Sequence, residues 1–198
     1  MRRRPGRGQS DRKSPTGWLC IVAGKWRSRL LPVADVPGVR PTSERIRETL
    51  FNWLASDIEG ARCLDLFAGT GALGFEALSR GAREVVFVDS SAQAVQTLRA
   101  SVAALGTADA LIHAGAAERY LEGPPSAFDV VFLDPPFASD VLEDLCRLLD
   151  ERRWLAGSAR IYLEQDRDRP LPALPDRWTV DREKTAGRVR YALATANA

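Results

Sequence analysis

The stretch Ala61-Arg-Cys-Leu-Asp-Leu-Phe-Ala-Gly-Thr-Gly-Ala-Leu-Gly-Phe-Glu-Ala-Leu-Ser-Arg-Gly81 constrains the fold more than any other part of the chain. An apolar run over residues 63–67 has strand length and stops at small residues, and an apolar-periodic segment follows as far as Gly81. The order is strand, glycine loop, helix. Such a loop presses backbone N–H groups and a helix N-terminus against a ligand, and Gly69 and Gly71 lack the Cβ that would hold it away. Gly69-x-Gly71-x-x-Gly74 also satisfies the dinucleotide fingerprint, with Asp89 about where that pattern wants its ribose-binding acid. Alone, the same residues also describe a plain strand-to-helix turn.

A second motif narrows the choice. Phe128-Asp-Val-Val-Phe-Leu-Asp134-Pro135-Pro136-Phe137 reads as a strand buried on both faces that ends in an acid, two prolines and an aromatic. The prolines fix the backbone and remove N–H donors, and a residue before proline is pushed toward extended geometry. The result is a rigid turn that presents carbonyls and a carboxylate, all acceptors. Asp134 and the Pro135 carbonyl suit an NH₂ group, and Phe137 can lie flat on a planar ring. The remaining alternative is a stiff strand-to-helix turn with no ligand.

The other elements follow in order. Residues 84–89 form a continuous apolar strand closing on Asp89, whose two oxygens can accept both hydroxyl protons of a ribose. Residues 92–105 read as a helix, 110–113 as a strand, 114–121 as a loop with a short helix, 141–149 as a helix and 159–164 as a strand. Residues 178–183 and 188–195 read as an antiparallel hairpin around Thr185-Ala186-Gly187. Strands alternating with helices and closed by a hairpin imply an α/β fold with a mainly parallel sheet and one reversed strand. The single histidine, His113, sits at a strand end and reads as structural.

Charge separates the N-terminal quarter from the rest. Residues 1–47 hold 12 of the 28 Lys and Arg and 3 of the 26 Asp and Glu, a balance of +9 that leaves −7 on the remainder. The basic quarter either meets a polyanion or serves as a solvated tail. Residues 1–16 are too polar to bury a core and are expected to form a disordered basic arm. Residues 18–23 and 28–31 can pair as a small hairpin, and 32–41 form a proline-punctuated loop. Thr42 or Ser43 can then cap a helix with Ile46, Leu50, Phe51, Trp53 and Leu54 at helical spacing. Arg45 and Arg47 fall on its polar side, to bind phosphate or to pair with Glu44 and Glu48.

At 198 residues the chain suits one well-buried domain. No apolar run reaches membrane-spanning length and no signal peptide is legible, so a cytoplasmic location is expected. Cys20, Cys63 and Cys146 show no metal-like spacing and read as reduced core residues; no metal is expected.

With both motifs in place, the chain resembles the class I S-adenosylmethionine-dependent methyltransferases, in the branch that methylates amino groups with an Asp-Pro-Pro-aromatic motif. Ile21-Val-Ala-Gly-Lys-Trp-Arg27, the stretch Arg40-Pro-Thr-Ser-Glu-Arg-Ile-Arg-Glu-Thr-Leu-Phe-Asn-Trp-Leu54, Asp65-Leu-Phe-Ala-Gly-Thr-Gly-Ala-Leu-Gly74 and Asp134-Pro-Pro-Phe137 are similar to the bacterial RsmD family, which methylates guanine N2 in 16S ribosomal RNA. The resemblance implies a Rossmann-like methyltransferase fold, with a seven-stranded sheet over residues 56–198 and an RNA-binding hairpin and helix over 17–55. It implies a catalytic set of Asp134, Pro135, Pro136 and Phe137. It also implies that S-adenosylmethionine is held by Asp65, Phe67, Ala68, Gly69, Thr70 and Gly71, by Asp89 and Ser90, and by Ala116 near the adenine. Arg27, Arg40, Thr42, Arg45 and Arg47 become candidate RNA contacts. Family members often carry Asp where this chain has Ser91, and Asn or Asp where it has Gly115. The expected partner is 16S ribosomal RNA or the assembling small subunit, met by a monomer.

The implied reaction is an in-line displacement by the guanine amine, with S-adenosylhomocysteine as the second product. Its rivals are adenine-N6 methylation by the same Asp-Pro-Pro-Phe chemistry, an NAD-dependent oxidoreductase built on the same glycine loop, and an RNA-binding module without activity. The oxidoreductase has no use for Asp134-Pro-Pro-Phe137.

Overall fold

The computed structural model describes residues 17–33 and 42–197; the basic arm 1–16, Arg40 and most of the proline-punctuated loop lie outside the described residues. A two-stranded hairpin, β1 (Trp18–Cys20) and β2 (Leu30–Pro32), is followed by α1 (Glu44–Trp53). Alternating elements come next: β3 (Arg62–Asp65), α2 (Ala72–Ser79), β4 (Glu84–Asp89), α3 (Ala92–Leu105), β5 (Ala110–Ala114), α4 (Ala117–Leu121), β6 (Phe128–Leu133) and α5 (Leu142–Glu151). Three strands close the chain: β7 (Leu155–Asp166), β8 (Trp178–Ala186) and β9 (Val189–Ala196).

The seven-stranded sheet has the order β5-β4-β3-β6-β7-β9-β8. Strands β3 to β7 are parallel neighbours, and β9 runs against both β7 and β8, so β9 alone is reversed. The chain moves outward from β3 through β4 to β5 and then returns to β6 on the other side of β3. The carboxyl ends of β3 and β6 therefore flank the crevice where strand order reverses, the place where open α/β sheets bind ligands.

Both faces of the sheet are covered, which is why its central strands are continuous apolar runs. Cys63, Val85, Phe87, Val130, Phe132 and Tyr162 face one cluster with Ile46, Leu50 and Phe51 of α1 and the core of α2. Leu64, Val86, Val88, Val131, Leu133, Ile161 and Leu163 face the other, against α4 and α5. The period of two along each strand assigns every residue to its face.

The N-terminal hairpin packs into the first cluster through Leu19, Ile21 and Leu31. What joins it to α2 is polar. Glu76 is fully buried in a helix buried on every side. Its carboxylate accepts from the backbone N–H of Val22 (2.8 Å) and Ala23 (3.0 Å), from Arg47 Nη1 (3.2 Å) and from Arg80 Nε (2.8 Å). Two neutral donors and two cations thus satisfy one buried carboxylate, the condition under which burying a charge is tolerable. At Gly24, with φ +81°, any Cβ would run into the Ser79 carbonyl, so only glycine lets this loop lie on the end of α2.

Several boundaries depart from the sequence reading, among them the end of β8, which runs on to Ala186 rather than stopping at 183. β7 begins at Leu155 rather than at 159, because Leu155 pairs with Phe128 before a bulge and Arg160 resumes with Val130. The hairpin strands are three residues each, shorter than 18–23 and 28–31 suggest, because the turn 22–26 is drawn onto Glu76 and Ser79 instead of pairing. Among the described residues, no helix is long and apolar enough to cross a membrane.

Candidate active site

The loop after β3 is shaped by its glycines. Gly69 and Gly71 have φ of +50° and +78°, in the left-handed region that other residues enter only with strain. Gly71 is the N-cap of α2 and offers no side chain to its first N–H groups, which leaves that helix end open to a ligand. Gly74 serves packing: a Cβ there would overlap the Phe87 ring, so the third glycine lets α2 lie close against β4. Asp65, 2% exposed, accepts from Gly74 N–H at 3.2 Å and ties the strand end to the helix it precedes.

Asp89 ends β4 beside this loop. Its Oδ2 accepts from Gly69 N–H at 2.7 Å and its Oδ1 from Ser91 N–H at 2.8 Å. A carboxylate oxygen has capacity for a second donor, so both oxygens can still receive a hydroxyl. Ser91 caps α3 by accepting from Ala94 N–H at 3.3 Å. Gly115 N–H donates to the Asp89 carbonyl at 2.9 Å, which brings exposed Ala116 and the start of α4 to the same rim. His113 lies edge-on against Tyr120, 5.0 Å between ring centres.

The Asp134 turn leaves β6, the strand next to β3, and Leu66 N–H bonds the Phe132 carbonyl at 3.2 Å where the two strands part. Neighbouring strands lie about 5 Å apart, so the glycine loop and the Asp-Pro-Pro-Phe turn rise side by side. Ser139 braces the turn by donating its hydroxyl to the Pro136 carbonyl at 2.7 Å, and Arg169 donates to the Ser139 carbonyl at 2.7 Å. Phe137 is half-buried and lines a cleft of about 340 Å³ with Pro135, Pro136, Gln165 and Arg169.

Asp65 ends β3, Asp134 follows β6 and Glu164 lies near the end of β7, at positions that alternation sends to the same face as Cys63, Phe132 and Tyr162. Asp65 and Glu164 of this acid row are buried and Asp134 is half-buried. Burial, then the charge of Asp134, pushes Asp65 up to about 8, while the Gly74 N–H opposes the shift. Burial also raises Asp134, against a hydrogen bond from Thr42, and burial followed by the Asp134 charge raises Glu164. The Tyr162 hydroxyl donates to Glu164 Oε2 at 2.6 Å. Carboxyl groups crowded in this way disfavour one another's ionised forms.

Two candidate RNA contacts need revision. Arg47 is 1% exposed and points into the protein, bound to Glu76, to the Cys20 carbonyl at 2.9 Å and to the Thr42 carbonyl at 3.3 Å. It has no surface to offer a phosphate, because Glu76 in α2 claims its charge. Thr42 is likewise buried, and its hydroxyl donates to Asp134 Oδ2 at 3.1 Å. Arg40 lies outside the described residues, while Arg27 and Arg45 are exposed. Two buried acids go without a role in the sequence reading. Glu164 repeats the pattern of Asp65, Asp89 and Asp134, an apolar strand closing on an acid, and Glu76 is the one charged residue in an otherwise apolar helix.

Comparison with other proteins agrees with this arrangement. A family model described as conserved hypothetical protein 95 matches residues 19–195. Ribosomal RNA small subunit methyltransferase D of Escherichia coli K12 is 44% identical over 180 residues, covering 91% of this chain and 91% of that protein. The protein of the same name from Haemophilus influenzae is 44% identical over 181 residues, covering 89% and 93%. A solved structure of a candidate methyltransferase from Escherichia coli superposes with a TM-score of 0.86 at 41% identity, covering 91% of this chain and 99% of that one. Sequence and backbone agree along nearly the whole length, across both the glycine loop and the Asp134 turn, and on that ground the chain belongs to the RsmD family of ribosomal RNA small subunit methyltransferases.

Proposed function

We propose that this chain transfers a methyl group from S-adenosylmethionine to the exocyclic N2 amine of a guanine in small-subunit ribosomal RNA. The observation that carries the reading is the adjacency of the glycine loop and the Asp134 turn at the carboxyl ends of neighbouring strands. The names of the relatives at 44% identity supply the class of RNA.

The donor set at the β3 and β4 ends fits S-adenosylmethionine. Asp89 has acceptor capacity left for ribose hydroxyls, and the open start of α2 and the positive-φ glycines allow close backbone approach. Phe67, Ala68, Gly69, Thr70 and Gly71 would line the loop side, Ser90 and Ala116 the base side, and Asp65 would anchor α2 beneath them. Bound there, the cofactor supplies a methyl group activated by sulfur.

The chain's own residues handle the amine. The N2 lone pair of guanine is delocalised into the ring, which makes it a poor nucleophile until its pyramidal form is favoured. Asp134 and the Pro135 carbonyl accept from its two N–H bonds and stabilise the positive charge that grows on nitrogen as the methyl–sulfur bond breaks, and the surplus proton then leaves the nitrogen for solvent. Pro135 and Pro136 hold these acceptors in a fixed turn. Stacking on Phe137 contributes roughly 1–3 kcal/mol. The amine is buried in paired RNA, so the target base is unpaired or flipped out. Arg45 is an exposed cation in the first turn of α1, just after Thr42, which reaches the Asp134 turn. Arg27, exposed on the hairpin turn docked at the far end of α2, and Arg40 are proposed as further RNA contacts from sequence.

Asp134→Ala tests the assignment. Methyl transfer should fall by at least ~10²-fold while affinity for S-adenosylhomocysteine stays within a few-fold, measured by radiolabel transfer and calorimetry. Near-normal turnover rejects the role of Asp134. An adenine-N6 product in place of N2-methylguanosine selects the rival substrate.

A further inference from the structure

Thr42 lies two residues before α1 and is 7% exposed. Its hydroxyl reaches across the molecule to donate to Asp134 Oδ2 at 3.1 Å. Its carbonyl is held in turn by Arg47 Nε at 3.3 Å, and Arg47 is fixed at its far end by Glu76 Oε2 at 3.2 Å and the Cys20 carbonyl at 2.9 Å. Glu76 belongs to α2, the helix that starts at the glycine loop. A continuous run of buried and half-buried contacts therefore leads from the helix on the cofactor side to the acid on the amine side.

A carboxyl group on a short side chain turns easily about its last torsion, where the energy wells are broad. Methyl transfer needs the acceptor to stay put, since displacement of about 1 Å can cost on the order of 10²-fold in rate. We propose that Thr42 is a positioning residue for the methyl transfer: by occupying Oδ2 it locks the Asp134 carboxylate so that Oδ1 is left to accept from the target amine, and the Glu76–Arg47 pair keeps Thr42 in place. The proposal rests on the reading of Asp134 as the acid that faces the amine.

The arrangement also sets a pH dependence. The titratable groups facing Asp134 are Asp65 from β3 and Tyr162 and Glu164 from β7, while Arg47 of α1 stands behind Thr42 with its charge answered by Glu76. Burial favours the neutral acid at position 134, and the Thr42 hydroxyl favours the ionised one. Without that hydroxyl, the pH below which the acceptor is lost moves upward.

The experiment compares wild type with Thr42→Val, Thr42→Ala and Thr42→Ser. It measures methylation of small-subunit ribosomal RNA from about pH 5 to pH 9, and carboxyl ¹³C NMR follows the titration of Asp134 in the wild type and the Val variant. Val and Ala should lower kcat by roughly 10–100-fold, with KM for the methyl donor little changed and the acid limb of the profile at higher pH. Ser should recover most of the rate, and the Asp134 carboxyl should titrate higher in the Val variant. If the Val variant does not fold, Ala against Ser makes the same comparison. Full activity in Val with an unmoved acid limb, or a Ser variant as slow as Val, overturns the proposal. A wild type that methylates no guanine rejects the functional reading and the positioning role with it, whereas an unshifted Asp134 carboxyl in the Val variant rejects only the Thr42 contact.

Discussion

The glycine loop and the start of α1 meet at the same edge of the sheet, but different lengths of sequence build them. The loop is the more local product: Gly69, Gly71 and Gly74 lie within six residues, Asp65 closes on Gly74 N–H nine positions away and Asp89 on Gly69 N–H twenty away. The start of α1 is assembled over distance, with Arg47 meeting Glu76 across 29 residues, Val22 meeting Glu76 across 54 and Thr42 meeting Asp134 across 92. Local geometry survives the loss of a single partner. A seat made of remote contacts around one buried carboxylate does not.

The largest expected effect comes from removing that carboxylate. Glu76→Ala leaves the Arg47 charge buried without its partner, a loss of roughly 3–5 kcal/mol, or about 6–20 °C in melting temperature for a chain of this size. Methyl transfer should fall much further than affinity for S-adenosylhomocysteine, because the glycine loop stands on local geometry while Thr42 loses its anchor. A melting curve and calorimetry on one preparation check both statements. Equal losses of transfer and affinity would erase the distinction between the two regions.

A smaller effect probes the loop side. Asp65 has its pKa raised in the folded protein, to about 8. The fold binds this proton more tightly than the unfolded chain does, so the group's contribution to stability is complete below its unfolded value near 4 and is lost as pH rises through the folded value. Asp65→Asn should therefore melt close to the wild type at pH 5 and several degrees above it by pH 8.5, in the absence of cofactor. A difference that stays constant between those pH values contradicts the burial assigned to Asp65.

The smallest effect separates the surface from both. Neutralising Arg27 and Arg45 together should leave melting temperature and cofactor affinity unchanged and reduce the slope of log affinity for RNA against log salt by about 2. The same change at Arg47 should instead lower the melting temperature. An unaltered slope removes Arg27 and Arg45 from the RNA-facing surface.

The same contrast explains what could be read from the sequence. Helix α3, read as running from 92 to about 105, is legible because Ser91 caps one end and Gly106, at φ +64°, stops the other. The two motif turns are legible because glycine and proline act on their own backbone. Arg47 was misplaced because helical spacing alone puts it among the polar residues of α1, and only its distant partner Glu76 draws it inside. Thr42 read as a cap or an RNA contact, yet Ser43 takes the cap by accepting from Ile46 N–H at 3.3 Å and frees Thr42 for Asp134. The early start of β7 stayed hidden because residues 155–158 follow no strand pattern and join the sheet only through Phe128.

The most direct test of the central claim maps the methylated atom. Small subunits or 16S ribosomal RNA lacking the modification are incubated with the protein and isotopically labelled S-adenosylmethionine, digested, and analysed by mass spectrometry beside an Asp134→Ala control. The account predicts one labelled N2-methylguanosine with the wild type and none with the variant. Label on adenine, label that persists in the variant, or no label at all would contradict it.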